Sequence, residues 1–175
     1  MAMTRPVQSS RASTVAVLAI VIAGLLLVNP AINAVALRAT RSDALAARPN
    51  DFRFVDTYTD GAAGLIQVWA VLSAIVAAAV VILALAARVG RRRSGVLLVV
   101  VLAGAALWAL CGAVMNTGSS LWTGPDEWDT VSDVVPAWQQ PALLAAALVT
   151  AAACVLAIVL QLRRRTASGS RTVRQ

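Results

Sequence analysis

Leu65–Asn116 reads LIQVWAVLSAIVAAAVVILALAA, then RVGRRRSG, then VLLVVVLAGAALWALCGAVMN. Two apolar runs flank a short segment that holds Arg88, Arg91, Arg92 and Arg93 and no acid. Each run is near the ~20 residues an α-helix needs to cross ~30 Å of hydrocarbon. Neither alternates apolar with polar side chains, as the ~10-residue strands of a transmembrane barrel would. The stretch therefore predicts two membrane helices joined by a turn.

The same reading extends outward. Two more apolar runs occur, Thr14–Leu37 and Ala142–Leu162. The whole chain of 175 residues is 59% hydrophobic and 13% charged, whereas a soluble domain carries roughly 25% charged residues. The expected fold is an all-α integral membrane protein, a bundle of four transmembrane helices with no second domain. The expected layout is a tail over 1–13, spans over 14–37, 62–87, 95–116 and 142–162, and loops over 38–61, 88–94 and 117–141. A basic, disordered tail closes it over 163–175.

Charge orients the bundle. The N-tail, the middle loop and the C-tail together hold eleven arginines and no acid. The loops over 38–61 and 117–141 hold four arginines against all eight acids, Asp43, Asp51, Asp56, Asp60, Asp126, Glu127, Asp129 and Asp133. Arginine is retained on the cytoplasmic side, because moving it across works against the membrane potential at ~2.3 kcal/mol per charge per 100 mV. The expected topology places both termini in the cytoplasm, as a multi-pass protein of the cell membrane. All fifteen basic residues are arginine, which with the abundant alanine and valine suggests a GC-rich bacterial genome and an inner-membrane location. A pI near 11.4 also fits nucleic-acid binding, but these arginines flank apolar spans and lack interleaved aromatic residues. No nucleic-acid partner is expected.

A secretory signal peptide competes for the N-terminus. Arg5 and Arg11 would form its basic region and Ala34-Val35-Ala36 its cleavage site. The apolar run is long for that role, so retention as a first span is expected. Within it, Asn29-Pro30 removes a backbone hydrogen bond and predicts a kink. Helical pattern continues from Ile32 to Arg48, and Pro49 stops it. Residues 50–60 read as a loop, with a hint of extended chain at Asp51-Phe52-Arg53-Phe54. In the loop over 117–141, Gly124-Pro125-Asp126-Glu127 predicts the start of a short interfacial helix reaching about Val135. Trp122, Trp128 and Trp138 lie near its water boundary, and Trp69 suits an interfacial anchor.

Two constellations stand out. Arg38, Arg41 and Arg48 fall within about 80° of helical arc and could face Asp126, Asp129 and Asp133 across the outer end of the bundle. Exposed pairs of this kind contribute only ~0–1 kcal/mol each, and independently solvated faces are the plain alternative. Asn29, Asn33, Gln67 and Asn116 are amides near or within the outer halves of the spans. They could form an outward polar pocket, or they could repair the proline site and hold helices together at roughly 0.6–2 kcal/mol per bond. The structural role is the favoured one.

Chemistry is mostly excluded. Histidine and lysine are absent, which removes the commonest general base, metal ligand and Schiff-base amine. The spans hold no Asp, Glu or Arg, so a proton-coupled exporter is not expected. Four carboxylates in Asp126–Asp133 lack the spacing of a Ca²⁺ loop. No catalytic, metal or cofactor site is expected. Cys111 and Cys154 sit at different depths in spans three and four and are read as packing residues without a disulfide. Small residues form stripes: Ala70, Ser73, Ala74, Ala77 and Ala78 in span two, Ala105, Ala109 and Gly112 in span three, and Ala146, Thr150, Cys154 and Ala157 in span four. Such spacing lets helices approach closely, within this chain or against a protein partner or a second copy. Besides the lipid bilayer, such a partner is expected. The expected role is a non-catalytic accessory or scaffolding subunit of a membrane complex. The alternative is a small oligomeric carrier or channel for neutral or amphiphilic cargo. An enzyme would need acids such as Asp56, Asp60 and Asp126–Asp133 to converge beside a pocket.

Overall fold

The computed structural model describes residues 7–47, 52–89, 92–117 and 135–172. They form four helices: α1 (Val7–Ala47), α2 (Phe52–Arg88), α3 (Arg92–Thr117) and α4 (Gln139–Thr172). All four are long and apolar enough to cross a membrane, over Thr14–Asp43, Thr59–Arg88, Arg93–Val114 and Gln139–Arg163. The chain is a multi-pass membrane protein of all-α class.

The helices form a ring in chain order. α1 packs most extensively on α2, and α3 on α4; α1–α4 and α2–α3 contacts close the ring, while the α1–α3 diagonal is slight. α1 finishes and α2 begins at the distal end of the bundle, and the opposite end carries Arg88 and Arg93. A continuous apolar core fills the arginine end. Ile22 from α1, Val80 from α2, Leu98 and Leu102 from α3, and Cys154 from α4 are all within 1% of complete burial, and alanines such as Ala77, Ala84, Ala105 and Ala157 fill the gaps between them. Small side chains at these positions let the backbones approach closely, which is the packing attraction open to helices whose outer surfaces already lie in an apolar solvent. Those outer surfaces are apolar too: Val71 is 60% exposed, Ile82 63% and Leu107 63%. In water, faces of this kind would be unstable; in lipid tails they need no cover.

The small-residue stripes divide. On α3, Ala105, Ala109 and Gly112 all point inward, as do Thr150, Cys154 and Ala157 on α4. On α2, Ser73 and Ala77 are buried while Ala74 and Ala78 are exposed. Most of this spacing is thus used inside the chain. Cys111 is exposed and Cys154 buried, and both are free thiols.

Three local expectations are corrected. First, residues 52–60 are helical, with neither a loop nor an extended piece over Phe52–Phe54. The charge-dense composition suggested a loop, but Thr59 and Ala62 are buried at helical spacing in this part of α2, so tertiary packing overrides local preference. Second, the stretch 163–172, expected to be disordered, continues α4. Adding residues to an existing helix avoids the nucleation cost, and arginine and alanine are good helix formers. Third, Trp69 is half-buried against Trp108, with ring centroids 4.3 Å apart and planes at 38°; it is packed in the bundle instead of anchoring at the boundary. α1 runs as one helix through Pro30. The interfacial helix expected after Pro125 lies, apart from Val135, outside the described residues.

Candidate polar site in the distal half of the bundle

Gln139, the first residue of α4, sets the level of the site. Its Nε2 donates to Asn33 Oδ1 at 2.8 Å, which ties α4 to α1 across 106 positions of sequence. Asn33 in turn donates from Nδ2 to Asn29 Oδ1 at 2.8 Å and to the Asn29 carbonyl at 3.2 Å. The two asparagines are four residues apart, one helical turn, so their side chains stack along one face of α1. Asn33 is buried at 7% exposure.

Asn29 leads into a cavity of about 20 Å³. Leu26, Asn29 and Pro30 from α1 line one side, with Trp69 and Ser73 from α2, Trp108 from α3, and Ala146 and Thr150 from α4 around the rest. Trp108 Nε1 donates to Ser73 Oγ at 3.2 Å, and Thr150 Oγ1 donates to the Ala146 carbonyl at 2.7 Å. The indole thus satisfies its donor within the bundle, as buried tryptophans usually do. Beside Asn29 and Trp69, Gly112 allows α3 to come close: a Cβ there would stand 3.1 Å from Asn29 Nδ2 and 3.6 Å from Trp69 Cζ3.

The depth of the site follows from helix rise. Thr150 lies eleven residues along α4 from Gln139, or roughly 16 Å at ~1.5 Å per residue. That is about half of a ~30 Å hydrocarbon layer. The polar chain therefore runs from the start of the α4 span to about its midpoint and ends against the apolar core.

No protein-family model, curated protein or solved structure matches the chain.

Of the four amides expected to converge, Asn29 and Asn33 do. Gln67 is exposed on α2 and does not join them. The side chain of Asn116 lies outside the described residues. Gln139, Trp108 and Thr150 complete the site in their place. Sequence offered one signal for Gln139, an amide at the first turn of an apolar span, but its partner a hundred residues away has no local signature.

The expected ridge of arginines is also redistributed. Arg41 Nη2 pairs with Asp56 Oδ1 at 2.7 Å across the α1–α2 hairpin, with both side chains about half exposed. Arg38 is exposed and makes no ion pair among the described residues. Arg48, Asp126, Asp129 and Asp133 lie outside the described residues, and with them the pairing proposed between the two ridges. Among the described residues no three histidines, cysteines or carboxylates cluster as a metal site would require.

Proposed function

We propose that the protein is a non-catalytic accessory or scaffolding subunit of a membrane complex. The reading is carried by one observation: the polar chain from Gln139 ends at the cavity, and beyond it the bundle is filled by Ile22, Val80, Leu102, Cys154 and their alanine neighbours. Among the described residues this apolar filling separates the cavity from the arginine end, where the side chain of Gln161 is buried. What the bundle offers is a rigid, tightly packed body with apolar flanks. Ala74 and Ala78 are exposed on α2 with Gln67 on the same side, at i, i+7 and i+11. Small residues with a nearby amide are the chemistry that draws a second transmembrane helix.

The proposed orientation puts both termini and Arg88–Arg93 in the cytoplasm of a bacterial inner membrane. It rests on the acid-free, arginine-only tails and middle loop. An interfacial helix after Pro125, with its tryptophans at the lipid boundary, belongs to the same proposal. The second reading is an oligomeric carrier for neutral or amphiphilic cargo, favoured by the cavity that Asn29 and Ser73 line. At about 20 Å³ that cavity holds about one water molecule, so a carrier would have to widen it.

Purification of the tagged protein from its native host in mild detergent tests the choice. A stoichiometric membrane partner whose recovery falls several-fold in Ala74→Leu/Ala78→Leu supports the accessory role. A homo-oligomer with no partner, retaining a defined lipid, overturns it in favour of the carrier.

A further inference from the structure

The cavity is lined mostly by apolar side chains, but four of its lining residues carry polar groups with unspent hydrogen-bonding capacity. Pro30 has no N–H, so the Leu26 carbonyl lacks the donor that a helix normally supplies four residues on. Ser73 is 2% exposed; its oxygen accepts from Trp108, and its own proton has no acceptor among the described residues. The Asn29 amide accepts from Asn33 through its oxygen, and its Nδ2 has no acceptor among the described residues. Thr150 Oγ1 spends its proton on Ala146 and keeps lone pairs free to accept. All four residues line the same small space.

These groups complement one another through a single intermediary. Two donors, Asn29 Nδ2 and Ser73 Oγ, and two acceptors, the Leu26 carbonyl and Thr150 Oγ1, belong to residues that line this space. A water molecule accepts two hydrogen bonds and donates two. The volume of about 20 Å³ exceeds the ~10–15 Å³ that one water needs, and four polar partners exceed the two it requires. An unsatisfied backbone carbonyl in hydrocarbon costs several kcal/mol. We propose that this cavity is a binding site for one long-lived water, which accepts from Asn29 and Ser73 and donates to the Leu26 carbonyl and Thr150. The site makes Pro30 tolerable in the middle of α1 and joins all four helices, since Ser73 is itself held by Trp108 of α3. It does not depend on which functional reading holds.

The test uses the full chain in lipid nanodiscs, with ¹⁵N-labelled asparagine and tryptophan. The side-chain amide of Asn29 is expected to show a cross-relaxation peak to water with the sign of a molecule that tumbles with the protein. Pro30→Ala restores an N–H that satisfies the Leu26 carbonyl, and the peak should weaken several-fold. Ala146→Val, which fills the cavity without removing a polar group, should abolish it and serves if Pro30→Ala fails to fold. A dispersed Trp108 indole signal reports folding in every sample. No water peak at Asn29 in the folded wild type, or an undiminished peak in folded Pro30→Ala or Ala146→Val, overturns the proposal.

Discussion

Gly112 and Asn29 face each other so closely that a methyl group at 112 would stand 3.1 Å from the Asn29 amide nitrogen. Any larger residue at 112 would force the Asn29 side chain, itself held by Asn33, to give by a few tenths of an ångström. Gly112→Ala should lower stability by ~1–3 kcal/mol, the usual cost of forcing extra volume into a packed interior. Gly104, eight residues or about two helical turns earlier on α3, has nothing within 4 Å of its hypothetical Cβ. Gly104→Ala should be neutral or stabilising by up to ~1 kcal/mol, since alanine is the better helix former. Equilibrium unfolding in mixed micelles distinguishes the two, and equal effects would count against the contact.

The Asn33–Gln139 bond joins α1 to α4. In Asn33→Ala and Gln139→Ala, a double-mutant cycle should give a coupling of roughly 0.6–2 kcal/mol, the range for hydrogen bonds between membrane helices. Additive losses would show that the two amides act separately.

Arg41 and Asp56 are paired at 2.7 Å but about half exposed. Their cycle, through Arg41→Gln and Asp56→Asn, should give less than ~1 kcal/mol at low salt and close to nothing at ~1 M, where the Debye length falls to ~3 Å. A coupling that survives high salt would mean the pair is shielded from water.

Orientation is open to a labelling test. Val89 is 81% exposed beside Arg88. In a background of Cys111→Ser and Cys154→Ala, Val89→Cys should react with a membrane-impermeant maleimide only after the cells are permeabilised. Reaction in intact cells would reverse the topology.

The four spans were legible because crossing hydrocarbon imposes a length and a composition that a single run of residues displays by itself. The proline site was legible for a similar reason: the missing N–H is a property of one residue. The distal hairpin was not, because Phe52–Asp60 carries charges that look like a loop until α1 is set beside it. The Asn33–Gln139 bond, the stacking of Trp69 on Trp108 and the closure on Ser73 depend on how the ring of helices is registered. No local pattern encodes that register. Gln67 illustrates the converse error: it lies at a suitable depth but on the outward side of α2, and a rotation of about 100° per residue decides which side.

The shared level of Asn33 and Gln139 also measures how far α1 continues past the start of α4. Ala47 is fourteen residues farther along α1, about 21 Å at ~1.5 Å per residue, whereas a lipid headgroup zone is only ~5–8 Å deep on each side. A fluorophore grafted at Ser42, nine residues or about 14 Å past the same level, would therefore report from beyond the headgroups.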